Sequence, residues 1–162
     1  MKDEPASGIL YTSLGGRRWC ESEFSTEEAS FLRQKLAWAF GEPRPRSDTF
    51  HNSWLDEAKC GLPRESWESA DAPLVRVCRN VFLRLATDEG RFAAPGLSSA
   101  LHHQIEDRFG GSKAFAKATG RHPGRLSRIV YGQTTATIEE LDGIARDLGF
   151  RITLEPSVPA DA

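Results

Sequence analysis

The stretch that decides the fold of this chain is residues 115–150, which read FAKATGRHPGRLSRIVYGQTTATIEELDGIARDLGF. Apolar residues recur through it at helical spacing, and glycine or proline separates one apolar group from the next. Gly120 lies between the first two groups, where a glycine can adopt the positive φ that a sharp turn between helices requires. The pattern therefore predicts two short helices joined by a tight turn, which is the helix-turn-helix arrangement.

Further helices are predicted on both sides of this pair. Leu101, Ile105 and Phe109 lie four residues apart and form one apolar face of a helix that precedes it. A second flanking helix, after the pair, carries apolar residues at helical spacing between positions 138 and 148. The residues expected to begin the four helices are Ser98 or Ser99, Ser112, Pro123, and Thr137 in a capping box with Glu140.

Residues 150–154 follow the last helix and read FRITL, with apolar and polar residues in alternation. Such alternation is typical of a short strand with one buried face. A lone strand leaves its backbone groups unpaired. We therefore expect a short C-terminal β-strand that pairs either with Ile9–Tyr11 of the same chain or with its copy in a second subunit.

The first half of the chain, to about residue 93, is predicted to be mostly helical. All four tryptophans lie in this half, which indicates a packed core. The stretch Ala93-Ala94-Pro95-Gly96 interrupts the helical pattern. We therefore predict a helical, aromatic-rich region at 1–94 and a second domain at 97–162. The residues expected to begin the helices of the first region are Ser25 in a capping box with Glu28, Asp48, and Pro73.

Charge is distributed unevenly along the chain. The formal net charge is −2, with 21 Lys and Arg against 23 Asp and Glu. Between Arg108 and Ile138, however, the sequence contains basic residues and no acidic residue. A local excess of positive charge is the electrostatic signature of a surface that binds nucleic-acid phosphates. The basic residues of this window are Arg108, Lys113, Lys117, Arg121, Arg125 and Arg128.

Several residues of this region match a family of DNA-binding domains at fixed offsets. They are Ala116, Gly120, Leu126-Ser127-Arg128-Ile129, Gly132, and the series Ile138, Leu141, Ile144-Ala145 and Leu148-Gly149. With these residues the segment resembles the Cro/repressor-like (Xre) family of helix-turn-helix domains, over less than a third of the chain. The resemblance implies a mainly α fold, in which a helical N-terminal region precedes a λ-repressor-like helix-turn-helix bundle with a short C-terminal β-strand.

The resemblance also implies which residues contact DNA. The helix over residues 123–131 is expected to enter the major groove while the preceding helix crosses the backbone, and Ser112 is expected to meet a phosphate. Pro123 and Gly124 carry no side-chain donor, so base readout is left to the arginines and the histidine beside them. The expected DNA-binding residues are Ser112, Lys113, Arg121, His122, Gly124, Arg125, Ser127, Arg128, Gln133 and Thr134.

The implied function is sequence-specific binding to double-stranded DNA by a homodimer, as a transcriptional regulator that represses by occlusion at an inverted repeat. An alternative is an antitoxin-like or adaptor protein, whose N-terminal half binds a partner protein while the helix-turn-helix domain serves autoregulation or a protein contact. Residues 1–94 carry no motif that distinguishes a partner-protein site from a small-effector site or a dimer interface.

Other classes of function find little support in the sequence. It contains no Gly-rich phosphate loop and no nucleophile–base set with recognisable spacing, so no enzyme and no catalytic residue are predicted. Cys20, Cys60 and Cys78 lack the closely paired ligands of a zinc site, and neither a metal nor another cofactor is expected. No apolar run reaches membrane-helix length and no signal peptide is visible, so we expect a cytoplasmic protein that contacts no membrane.

Overall fold

The structure, a computed structural model, describes residues 8–91 and 96–154. This part of the chain is mainly helical and carries one two-stranded sheet, which confirms the predicted mainly α class. Its elements are β1 (Ile9–Thr12), β2 (Arg18–Cys20), α1 (Thr26–Ala39), α2 (Ser47–Gly61), α3 (Pro73–Asp88), α4 (Leu97–Phe109), α5 (Ser112–Thr119), α6 (Pro123–Val130) and α7 (Ile138–Asp147). Of the helices in these two ranges, none has the length and apolar character needed to cross a membrane.

The elements from β1 to α3 pack around a first cluster of buried side chains. α3 contacts both α1 and α2, so its apolar residues are enclosed from two sides. All four tryptophans pack in or against this cluster, as their place in the sequence predicts. Each large apolar side chain buried here stabilises the fold by about 1.5–3 kcal/mol. The buried members include Trp19, Leu32, Phe50, Trp54, Leu74, Val77, Val81 and Leu85.

The helices α4 to α7 pack around a second cluster. α5 contacts α4 and α6, and α7 packs against α4. Residues 120–122 alone separate α5 from α6, so the two helices lie side by side. The predicted domain boundary at residues 93–95 lies outside the described residues. The buried members of the second cluster are Leu101, Ile105, Phe115, Ala116, Leu126, Ile129, Val130, Ile144, Ala145 and Leu148.

Local capping and turn signals place several helix ends as predicted. The side chains of Ser25 and Thr137 each accept a hydrogen bond from the backbone N–H three residues further on, within complete capping boxes. Pro123 is the first residue of α6. Gly120 has a φ of 72°, in the left-handed region that favours glycine, so the turn between α5 and α6 is at the predicted residue.

The predicted start of α2 at Asp48 is wrong, because a carboxylate that is distant in the sequence binds Ser47, one residue earlier. The helix begins at Ser47 and not after Asp48. The Glu89 carboxylate, just after α3, accepts hydrogen bonds from the Ser47 N–H at 2.6 Å and from the Ser47 hydroxyl at 2.8 Å. This contact satisfies a free N–H group at the helix start, which a capping side chain otherwise does.

Glycine, and not the predicted serine, also precedes α4 and α5. α4 follows Gly96, whose carbonyl accepts an early hydrogen bond of the helix, and both Ser98 and Ser99 lie inside the first turn. α5 follows Gly111, and Ser112 is its first residue. Gly111 has a φ of 147°, a conformation that residues with a Cβ rarely adopt. The backbone conformation between α4 and α5 therefore requires glycine at position 111.

The predicted C-terminal strand is wrong: residues 150–154 form no strand in the described part of the chain. β1 pairs instead with β2 in an antiparallel hairpin. α7 ends in a left-handed turn at Gly149, and the Phe150 N–H bonds back to the Ala145 carbonyl at 2.8 Å. Ile152 then packs against the second cluster. Of the three apolar residues that alternate, Ile152 is thus partly buried against helices, whereas Phe150 and Leu154 are exposed.

A polar contact joins the β1–β2 hairpin to the C-terminal end of α4. The buried Asp107 carboxylate accepts hydrogen bonds from the Ser13 hydroxyl at 2.5 Å and from the Arg17 N–H at 3.4 Å. The Gln104 side-chain amide donates to the Gly15 carbonyl at 2.8 Å. A Cβ at Gly15 would overlap the Asp107 carboxylate, so this close approach needs glycine. The hairpin therefore positions α4, and with it the helices packed on α4.

Candidate nucleic-acid interface

The pair α5–α6 forms the candidate interface, and its buried residues determine which side faces outward. Phe115 of α5 and Leu126 and Ile129 of α6 are buried in the second cluster. The residues of α5 and α6 that do not belong to this cluster lie on the opposite, outer side of each helix. They include Lys113, Lys117 and Arg128. His122 caps the start of α6, because its Nδ1 accepts a hydrogen bond from the Arg125 N–H at 3.3 Å. This cap fixes the first turn of α6. The outer side of α6 lies along the same groove as the start of α5.

A groove of about 750 Å³ runs along this surface, between α5–α6 and the start of α3. The predicted DNA-binding residues that line it are Ser112, Lys113, Arg121 and Ser127. Two basic residues outside the predicted set line it too, Lys117 of α5 and Arg79 of α3. Lys117 belongs to the basic window of the sequence, which is a signal that could have found it. Arg79 lies in the other half of the chain, and no pattern there links it to α5.

Three cations of the helix pair form no ion pair with another described residue. Lys113, Lys117 and Arg128 are all exposed. The Arg128 Nε donates a hydrogen bond to the Gly124 carbonyl, one helical turn earlier, at 3.3 Å. The Arg128 side chain therefore lies back along α6 toward its start, over a position that carries no side chain. These three charges are available to an anion that approaches the outer surface.

Two of the predicted DNA-binding arginines are paired with acids of α7. Arg125 Nη2 lies 2.8 and 2.9 Å from the two carboxylate oxygens of Glu140. Arg121 Nε lies 2.7 Å from Asp147 Oδ2. The arginine side chains remain 43 and 30% exposed, but each charge is balanced by a carboxylate. Sequence reasoning missed both pairs because the acids lie 15 and 26 residues further along the chain.

The Arg125–Glu140 pair also orders the loop between α6 and α7. The pKa of Glu140 is below its ordinary value. The larger cause is the hydrogen bond from the Thr137 N–H to its carboxylate, and the next is the hydrogen bond from the Arg125 side chain. Glu140 is therefore ionised at neutral pH. The Thr134 hydroxyl accepts a hydrogen bond from Arg125 Nη1 at 3.5 Å. Arg125 and Thr134 thus contribute to the fold of this loop as well as to the outer surface.

The remaining predicted residues lie at the ends of the two helices. His122 and Gly124 are exposed at the start of α6, and Gln133 is exposed just after its end. Ser112 is the first residue of α5, and its Oγ is buried without a hydrogen-bond partner among the described residues. Free N–H groups at a helix start bind anions, and an adjacent hydroxyl can donate to the same anion.

The cysteines do not add a metal site to this surface. Within residues 8–91 and 96–154, no group of three or more His, Cys, Asp or Glu side chains is placed to hold a metal ion. Cys20, Cys60 and Cys78 are free thiols. Burial raises the pKa of the Cys78 thiol, which therefore stays protonated and packs as an apolar side chain of the first cluster.

No protein-family model matches this chain, and neither does any curated protein or solved structure. The resemblance to the Cro/repressor-like family stays a prediction from the motif residues. The geometry and charge of the chain's own side chains are therefore the basis on which a function is inferred.

Proposed function

We propose that α4–α7 form a λ-repressor-like helix-turn-helix bundle that binds double-stranded DNA in a sequence-specific manner. One observation carries the proposal: α6 lies exposed beside α5, with Lys113, Lys117 and Arg128 free of ion pairs within the described residues. In helix-turn-helix proteins the second helix of such a pair enters the major groove. Cations on the same surface supply the attraction for phosphates.

In this proposal, different residues contact the phosphates and the bases. The start of α5 binds a phosphate through its free N–H groups, the Ser112 hydroxyl and the Lys113 ammonium group. Arg128 reads a base, because its guanidinium lies toward the start of α6 and can bind guanine O6 and N7 together. Arg121 and Arg125 hold α6 against α7 and so fix the angle at which α6 meets the groove.

The biological role that we propose is transcriptional repression by a dimer. Two copies related by a two-fold axis present two α6 helices to an inverted repeat, one helical turn apart. A protein of this size that occupies a promoter excludes other proteins from it, which is the simplest route to repression.

A partner protein is the second candidate for the same surface. The ion pairs of Arg121 and Arg125 with acids of α7 lower the net positive charge of the α5–α6 surface. Pro123 and Gly124, at the start of α6, offer no side-chain donor to a base. Both features suit a surface that binds protein, where charged groups are depleted at the centre. The chain then acts as an antitoxin-like or adaptor protein.

Binding to a labelled duplex from the protein's own promoter region, compared with a scrambled duplex over a salt series, tests the proposal. The two unpaired lysines of α5 predict that log affinity falls with log salt at a slope of about −1.8 per subunit, since each phosphate contact contributes about −0.9. Lys113→Ala combined with Lys117→Ala should reduce this slope by about 1.8 per subunit. Lys59→Ala, which removes an exposed lysine of α2, is the matched control and should leave the slope unchanged.

The outcomes separate the candidate functions. A preference of about a thousandfold or more for the promoter duplex supports a specific regulator. Equal, salt-dependent binding to both duplexes contradicts sequence specificity. No binding at low salt contradicts DNA binding altogether and leaves the partner-protein function.

A further inference from the structure

Large apolar side chains are concentrated on one exposed surface of the helical bundle. Five are exposed in the described residues, and four of these lie where the start of α4, the outer side of α7 and the segment after α7 meet. They are Leu97, Ile138, Phe150 and Leu154, at 41, 66, 41 and 94% exposure. Contiguous exposed apolar groups of this kind mark an interaction surface. We define the α7 face as these four residues together with Asp142 and Arg146.

The α7 face is separate from the candidate nucleic-acid interface. It borders a groove of about 1000 Å³. Among the described residues, no lining residue of this groove also lines the 750 Å³ groove beside α6. A molecule bound to the α7 face therefore leaves the outer surface of α5–α6 open.

Charge on the α7 face changes sign from one end to the other. Glu139 and Asp142 lie in the first half of α7, whereas Arg146 lies in its last turn and Arg151 follows it. The formal charges cancel, so this face gives no net attraction to a polyanion such as DNA. Acids at one end and bases at the other make the face complementary to an antiparallel copy of itself.

We propose that a second copy of this chain covers the α7 face, with the two α7 helices antiparallel about a two-fold axis at the level of position 144. At this register Asp142 lies opposite the partner's Arg146, because both residues are in α7 and are evenly spaced about that position. Ile138 begins α7 and therefore lies at the end of the interface where the partner's α7 ends and its Phe150 follows. Each contact occurs twice, as two-fold symmetry requires. Asp142 and Arg146 of each chain thus meet the opposite charge, and exposed apolar side chains of both chains lie beside them.

The charged residues of this interface are already in place in the single chain. Arg146 Nη2 lies 2.8 Å from Asp142 Oδ2 of the same helix, and the arginine side chain is 74% exposed. In the dimer each of these charges gains a partner on the other chain. Electrostatic complementarity of this kind fixes the register and orientation of an interface. The inference rests on the dimer of the proposed function and names its interface. The dimer does not depend on DNA binding, so a chain that is monomeric in solution would refute this interface without refuting DNA binding by α5–α6.

Sedimentation of the full-length chain at micromolar concentration tests the proposal, with a dimer of 18.0 kDa chains as the expected species. Asp142→Arg brings like charges together across the axis, and so does Arg146→Glu. Each variant alone should raise the dimer dissociation constant about tenfold or more, since two symmetric contacts are lost. Asp56→Arg, a reversal at an exposed acid of α2, is the matched control and should leave the dissociation constant unchanged.

Mixing the two α7 variants supplies the decisive comparison. The basic face of the Asp142→Arg chain is complementary to the acidic face of the Arg146→Glu chain, so the mixture should form a heterodimer. Neither variant retains the ion pair within α7, so this rescue can come only from contacts between chains. Recombination on mixing also shows that both variants are folded.

Several results would overturn the proposal. A wild-type chain that stays monomeric across the concentration range is one. Dimerisation that appears only after removal of residues 155–162 would assign the α7 face to that segment of the same chain. A dimer that survives both reversals, or variants that remain monomeric when mixed, would also refute the antiparallel pairing.

Discussion

Replacement of Gly15 by alanine should separate the β1–β2 hairpin from α4. A Cβ at this position would lie 2.9 Å from Asp107 Cγ and 2.9 Å from the His103 carbonyl oxygen, and it would overlap the Asp107 carboxylate. One of these neighbours is backbone and the other is a short, buried side chain. Neither can turn aside as the end of a long side chain could. The hairpin must therefore move away from α4.

The cost of this movement follows from the hydrogen bonds that it breaks. The Ser13 hydroxyl donates to the Asp107 carboxylate, and the Gln104 amide donates to the Gly15 carbonyl. A hydrogen bond to a charged group contributes about 1.5–3 kcal/mol, and one between neutral groups about 1 kcal/mol. Gly15→Ala should therefore lower the free energy of unfolding by about 2.5–4 kcal/mol. At roughly 2–4 °C per kcal/mol for a chain of this length, the Tm falls by about 5–15 °C.

Thermal unfolding followed by far-UV circular dichroism measures this change. The matched control is Gly61→Ala at the end of α2, where a Cβ would meet nothing within 4 Å. Alanine favours the helix more than glycine does, so the control should unfold at the wild-type Tm or above it. A Gly15→Ala Tm equal to that of the wild type would refute the close approach of Gly15 to Asp107.

Substitutions at three further residues test the candidate interface and the helical bundle that carries it. Arg128→Ala should reduce the preference for the promoter duplex by about 1–3 kcal/mol. Arg128→Lys should keep the salt slope but lose the preference, because lysine cannot bind guanine at two atoms. An equal preference in the wild type and both Arg128 variants would exclude a base contact. Glu140→Gln should weaken the dependence of Tm on acid pH. The Thr137 N–H above all lowers the pKa of Glu140 from its ordinary 4.5, so its stabilising effect is present above that pH and is lost as the pH falls through the folded-state pKa. His103→Gln should make the Tm less sensitive to pH below 6.5. Burial, followed by the neighbouring His102, lowers the pKa of His103, so the unfolded chain takes up the proton first and protonation favours unfolding. For either residue, Tm curves that are identical in the variant and the wild type would contradict the assignment.

Helix positions could be predicted wherever the signal acts within a few residues. The capping boxes at Ser25 and Thr137 and the left-handed turn at Gly120 are such signals, and all three are confirmed. Prediction fails where a residue far along the chain takes part. Glu89 binds the start of α2, which therefore begins at Ser47.

The candidate site could be predicted only in part, for a related reason. A basic window without acids is visible in the sequence, and Lys113, Lys117 and Arg128 remain unpaired within the described residues. Arg121 and Arg125 have the same residue type and lie in the same window, yet both are paired with α7. The pairing depends on how α6 packs against α7, which apolar spacing does not specify.

Local signals in the sequence are enough to establish a mainly helical chain, the short pair α5–α6 with its glycine turn, and the basic character of that pair. They suffice because helix periodicity and capping act over one or two turns of backbone. The packed structure sets which arginines are neutralised, where the hairpin docks on α4, and why Ile152 packs on helices while residues 150–154 form no strand. These outcomes depend on which faces meet, and that is fixed when side chains distant in sequence are buried together.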